Sequence, residues 1–135
     1  MSDPVTITLL GKPVPGSRAQ SKYRWIPKNQ QHAMDQLRLA ASEAMKGREM
    51  LDGPLRIWLT AEMPIPNSWS KKKQYDAILG NVWPTTTPDL KNILWLVEDA
   101  MKSVVYRDDS IVCQHHTLKR YSAQPKIILT IETIQ

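Results

Sequence analysis

The chain has 135 residues, with 18 Lys plus Arg against 13 Asp plus Glu, for a formal net charge of +5. That length holds one core and excludes a large multidomain enzyme. No apolar run approaches the roughly 20 residues that span a bilayer, the start Met1-Ser2-Asp3-Pro4 lacks the layout of a signal peptide, and Cys113, the only cysteine, leaves neither an internal disulfide nor a thiolate zinc cluster. The expectation is a cytoplasmic, single domain over 1–135 whose basic surface favours polyanions, nucleic acid first among them.

In chain order, Val5-Thr6-Ile7-Thr8-Leu9-Leu10 alternates polar and apolar residues up to Gly11 and predicts a first strand. Pro13, Pro15 and Gly16 then interrupt regular structure. Residues 12–28 carry Lys12, Arg18, Lys22, Arg24 and Lys28 with Tyr23 and Trp25 among them, a mixture able to touch phosphates and stack on bases, and equally the composition of a solvated loop. Apolar residues at three- and four-residue steps from Ala33 to Met45 predict an amphipathic helix over about 30–48. Alternation resumes over 55–63 with Leu55, Ile57, Leu59, Ala61 and Met63 on one face, closed by Pro64 and Pro66.

Ser68-Trp69-Ser70-Lys71-Lys72-Lys73 predicts a capped turn opening a short helix towards Gly80. Residues 81–88 contain two prolines and three threonines and read as an extended connector. A helix is predicted over about 88–103, with Pro88 as its first residue and Thr87 as its cap. Its apolar side holds Leu90, Ile93, Leu94, Val97, Ala100, Met101 and Val104, and its polar side Lys91, Asn92, Trp95, Glu98, Asp99 and Lys102. Strands over 110–118 and 126–134 finish the chain, joined by a turn over 119–125 that is basic at its mouth, at Lys119 and Arg120. Strand, helix, strand, short helix, helix, strand, strand predicts an α/β or α+β fold, a small mixed sheet with helices packed on it.

No Gly-rich phosphate loop, His-Glu-x-x-His helix or Gly-x-Ser-x-Gly elbow occurs. His115 and His116 are strand neighbours pointing to opposite faces, an arrangement unsuited to sharing one metal. What remains is the acidic set Asp89, Asp99, Asp108 and Asp109. Carboxylates suit a hard cation such as Mg²⁺, which binds through one or two of them plus substrate phosphates and activates water for phosphodiester hydrolysis. The same residues read equally well as a helix cap and a polar turn.

The run Pro88-Asp89-Leu90-Lys91-Asn92, followed by Val97-Glu98-Asp99-Ala100-Met101, Val105-Tyr106-Arg107-Asp108-Asp109-Ser110-Ile111-Val112 and Lys119-Arg120-Tyr121, resembles the RusA-type Holliday-junction resolvases of bacteria and their prophages. Ile65-Pro66-Asn67-Ser68-Trp69-Ser70-Lys71-Lys72-Lys73 is similar to phage members of that family. The resemblance implies a small Mg²⁺-dependent homodimer, without a small-molecule cofactor or membrane attachment, that binds four-way DNA junctions and nicks two strands in recombination and repair. By position, Asp89 and Asp109 match essential aspartates and are the implied metal ligands, and Asn92 also matches. Asp89, Lys91, Asp108 and Asp109 form the implied catalytic set, with Asp108 as an auxiliary acid, and Lys71, Lys72, Lys73, Lys119 and Arg120 are the expected DNA contacts.

Two positions depart from the family pattern. Lys91 stands where the second aspartate of Asp-x-Asp-Asn is expected, and Trp95 where a functional lysine is expected. Either Lys91 takes over the lysine's contact with the scissile phosphate while Asp89, Asp108 and Asp109, joined by Glu98 or Asp99, hold the ion, or the dimer binds branched DNA without cutting it. Lys91, Trp95 and Glu98, at steps of four and three, share a helix side. A third reading is a single-stranded nucleic-acid binder stacking bases on Trp25, Trp69 and Trp83. Trp95, read as exposed, and the apolar pair Ile111-Val112 offer a candidate dimer interface.

Overall fold

Strand β1 (Val5–Leu10), helix α1 (Lys28–Ala44), β2 (Leu55–Pro64), α2 (Lys71–Ile78), α3 (Leu90–Met101), β3 (Val112–Ser122) and β4 (Lys126–Thr133) follow one another in a computed structural model that describes residues 3–16 and 27–135. Arg18, Lys22, Tyr23, Arg24 and Trp25 lie outside the described residues. The four strands form one mixed sheet in the order β1-β4-β2-β3. The β1/β4 and β4/β2 pairs are antiparallel and β2/β3 is parallel. Parallel neighbours require a crossover, and α2 and α3 supply it. The architecture is the expected mixed α+β type.

Alternation along the strands decides which side of the sheet is buried. Val5 and Ile7, Leu55, Ile57, Leu59 and Ala61, and Ile127, Leu129 and Ile131 form one apolar face with almost no exposure. Against it pack Ala33, Met34, Leu37 and Ala41 of α1 and Ile93, Leu96, Val97, Ala100 and Met101 of α3, all in one core cluster. Fully burying each large apolar side chain contributes about 1.5–3 kcal/mol. The opposite face carries polar and aromatic side chains. There Trp58 stacks on His116 with ring centroids 4.2 Å apart, and Glu132 accepts hydrogen bonds from Arg56 and Trp58, both at 2.8 Å.

Four expectations need correction. Helix α1 stops at Ala44 because the chain turns through Met45 to Gly47, whose φ of +75° takes it out of helical geometry. Helix α3 starts at Leu90 with Asp89, not Thr87, at the N-cap, and it ends at Met101, before Ser103 adopts a φ of +69°. Leu96, absent from the expected apolar side, is fully buried, whereas Trp95 is half-buried rather than exposed. Finally, Lys119, Arg120 and Tyr121 do not form a turn: they continue β3 alongside Ala61, Glu62 and Met63. A charged run survives there because β3 is an edge strand, where charge is tolerated. Arg120 also has a partner across the pair, Glu62, at 2.6 Å.

Candidate active site

Asp89 opens the site from the N-cap of α3. The amides of Asn92 and Ile93 donate to its carbonyl at 3.0 and 3.2 Å, but its carboxylate makes no cap bond and stays exposed. Beyond it, Lys91, Trp95 and Glu98 follow at steps of four and three along one side of α3. With Asp89, Asn92 and Leu94 they form one wall of a cleft of about 810 Å³ whose other wall is Pro15, Gly16, Pro27, Asn29 and Gln30. Gly16 lets that second wall come close. Its amide donates to Asn92 O at 2.8 Å, and a Cβ there would fall 3.1 Å from both the Cβ and the backbone N of Leu96.

A second group of acids approaches from the start of β3. Asp108 caps a single 3-10 turn over Asp109–Ile111, accepting from the Ser110 amide at 3.2 Å and pairing with Lys102 at 3.2 Å. Those contacts, Ser110 first and Lys102 next, hold its carboxyl down at about 2. Asp109 is half-buried, and its Oδ1 is shut off from solvent without a hydrogen-bond partner. Beside it lies the buried Tyr106, whose hydroxyl donates to Glu98 O at 3.2 Å. Burial, and then the charges of Asp109 and Glu98, push this phenol well above its usual range.

Glu98 is common to both groups. It lines the cleft with Asp89, it feels the charge of Asp109, and its Oε1 lies 3.1 Å from Nε2 of His115. Burial, aided by Asp109 and opposed by His115, raises its carboxyl above the usual range. Among the described residues no three His, Cys, Asp or Glu side chains converge closely enough to hold a metal by themselves. A buried carboxylate oxygen without a donor, Asp109 Oδ1, nevertheless has the chemistry a hard cation takes.

The expected DNA-facing residues fall into two classes. Lys71 and Lys72 are exposed in the first turn of α2, and Lys73 there lies over the Trp69 ring at 4.0 Å. Trp69 itself packs edge-on against Tyr121 at 5.2 Å. Arg120 is paired with Glu62, and Lys119 donates to the carbonyls of Thr86 and Pro88. Sequence reasoning missed Tyr106 and missed His115 as the partner of Glu98. Alternation put the two histidines on opposite faces, but only knowledge that β3 runs beside β2 says which one faces α3.

The family model described as Endodeoxyribonuclease RusA matches residues 7–132, from β1 to the end of β4. The chain belongs to the RusA endodeoxyribonuclease family. RusA membership implies an endonuclease that acts on Holliday junctions, a DNA hydrolase of recombination that binds branched DNA. The chain is also similar to a Bacillus subtilis (strain 168) protein described as "Uncharacterized protein YqaN", 29% identical over 140 residues and covering 98% of each chain. Among the described residues no helix is long and apolar enough to cross a membrane.

Proposed function

We propose that the protein is a Mg²⁺-dependent homodimeric Holliday-junction resolvase, a single domain whose catalytic centre is the cleft along α3. The observation that carries this reading is one cleft lined by Asp89 at the N-cap of α3 and by Lys91, Asn92 and Glu98 along the helix, with Asp109, whose Oδ1 has no donor, close enough for its charge to act on Glu98. A bound Mg²⁺ supplies an activated water and offsets the charge growing on the scissile phosphate.

Asp89 and Asp109 are the residues that would hold the ion. Two acids suffice, because Mg²⁺ completes its shell with waters and substrate phosphate. Lys91 binds the scissile phosphate as a compact cation. Glu98, steadied by His115, orients water in the cleft, and Asp108, fixed by Ser110 and Lys102, keeps the turn that carries Asp109 in place. Lys71 and Lys72 meet phosphates of a junction arm, so affinity falls steeply with salt.

A second reading, a dimer that binds junctions without cutting them, is favoured by the cation at Lys91 and by the absence of three converging acids among the described residues. One experiment separates the two. A labelled four-way junction and a matching linear duplex are incubated with the protein, with and without Mg²⁺, alongside Asp89→Asn. The resolvase reading expects paired nicks in the junction alone, dependent on Mg²⁺ and lost in Asp89→Asn. Tight junction binding without nicks, unchanged in Asp89→Asn, would leave only the second reading.

A further inference from the structure

The direction of the Asp89 carboxylate depends on its backbone, since the side chain makes no cap bond. Residues 81–88, which lead into it, belong to no helix or strand. Such a connector has no ladder to fix it, and its carbonyls need partners from elsewhere. Lys119 is that partner, its Nζ donating to Thr86 O at 2.8 Å and to Pro88 O at 3.0 Å. The register of the sheet makes the reach feasible. Lys119 sits opposite Ala61, a fully buried small residue of β2, so it belongs to the helix-covered face of the sheet, and its ammonium reaches the connector. Neither carbonyl belongs to α3, whose first turn is closed on Asp89 O. The ammonium therefore grips the chain on both sides of Thr87 and releases it one residue before Asp89.

We propose that Lys119 is a positioning residue for Asp89, fixing the start of α3 and so the aim of that carboxylate, instead of meeting a DNA phosphate. Two of the three ammonium donors are engaged by carbonyls. This assignment rests on the resolvase reading above, because it gives Asp89 a place at the reacting centre. A small misplacement of such a group costs up to roughly a hundredfold in rate.

The test uses the full chain as wild type, Lys119→Met and Lys119→Arg on a labelled four-way junction. Three quantities are measured: single-turnover nicking, junction affinity with its salt slope, and amide hydrogen exchange. Lys119→Met is expected to slow nicking about 10- to 100-fold. Affinity and salt slope stay unchanged, exchange quickens at Asn92 and Ile93, and Lys119→Arg, with its forked donors, recovers most of both losses. A phosphate contact predicts the opposite, weaker binding with a salt slope smaller by about one and no local change in exchange, and that result overturns the assignment. Exchange that quickens over the whole chain also overturns it, because the role would then be general stability. If the wild type nicks and Lys119→Met nicks equally fast, only the Lys119 assignment falls. If the wild type binds the junction and never nicks, the resolvase reading falls first and this role with it.

Discussion

Lys91 and Glu98 lie on one side of α3 with charges opposite in sign, both facing the cleft that Asp89 opens. In the proposed centre Lys91 serves the phosphate and the acids around Asp109 serve the ion, so an extra carboxylate at 91 adds little to metal binding. Lys91→Asp is accordingly expected to leave Mn²⁺ affinity, measured by calorimetry, nearly unchanged and to slow nicking. A gain of roughly tenfold or more, worth about 1.4 kcal/mol, would mark a centre that lacks an acid. Glu62 gives a separate prediction for stability. Burial tends to raise its carboxyl, but hydrogen bonds and charge from Arg120 and Lys126 prevail and bring it below the ordinary 4.5. The folded state thus prefers the ionised form. Its contribution is complete above about pH 4.5 and is lost as pH falls through the lower folded value. Urea denaturation of Glu62→Gln should show less loss of stability below pH 4.5 than the wild type, and equal losses would contradict the pairing. At this scale the motif made Asp89, Asn92 and Asp109 legible in the sequence. His115 and Lys119 were not, since their partners lie 17 and more than 30 positions away and meet them only through strand pairing.

Among the elements, α3 carries most of the candidate site and is held from three directions. Its inner side packs into the core, Gly16 presses on it at Asn92 and Leu96, and β3 reaches it through His115 on Glu98. A methyl group at Gly16 would sit 3.1 Å from the Leu96 backbone N, so the helix or the facing segment would have to give way slightly. Gly16→Ala should destabilise by about 1–3 kcal/mol, as overpacked sites do, and shift the cleft wall. Thermal denaturation with the wild-type midpoint would remove this account of the glycine. The helical period of α3 was plain in the sequence, but its start was not. Pro88 with Thr87 satisfies the usual pattern for a first residue and cap, while the actual cap, Asp89, is also an acceptable one. The turn expected over 119–125 failed for a different reason. A cluster of Lys, Arg, Ser and Pro resembles a loop in isolation, and only pairing with β2 as far as Pro64 draws its first residues into a strand.

For the whole molecule, the sheet separates two surfaces. Both long helices and the acidic cleft belong to one, and a paired polar and aromatic surface to the other. The fold class follows from the alternation of three short segments, which sequence period exposes directly, together with a fourth strand expected over 110–118. The strand order β1-β4-β2-β3 does not, because it is set by long-range register. A net charge of +5 suits a protein that draws in polyanions. Replacing both Lys71 and Lys72 by Gln should weaken junction binding and lower the salt slope by about two, with nicking of bound junction unaltered. An unchanged slope would place those lysines away from DNA.

In the proposed resolvase DNA is cut in the cleft on α3, with Asp109, the electrostatic neighbour of Glu98, as a metal ligand. The most direct test of this assignment is single-turnover nicking of a labelled four-way junction by Asp109→Asn in Mg²⁺, with junction affinity measured on the same preparation. Junction affinity like that of the wild type is expected, with nicking slower by roughly a hundredfold or more, as when a metal ligand is lost. Nicking at the wild-type rate would contradict the assignment.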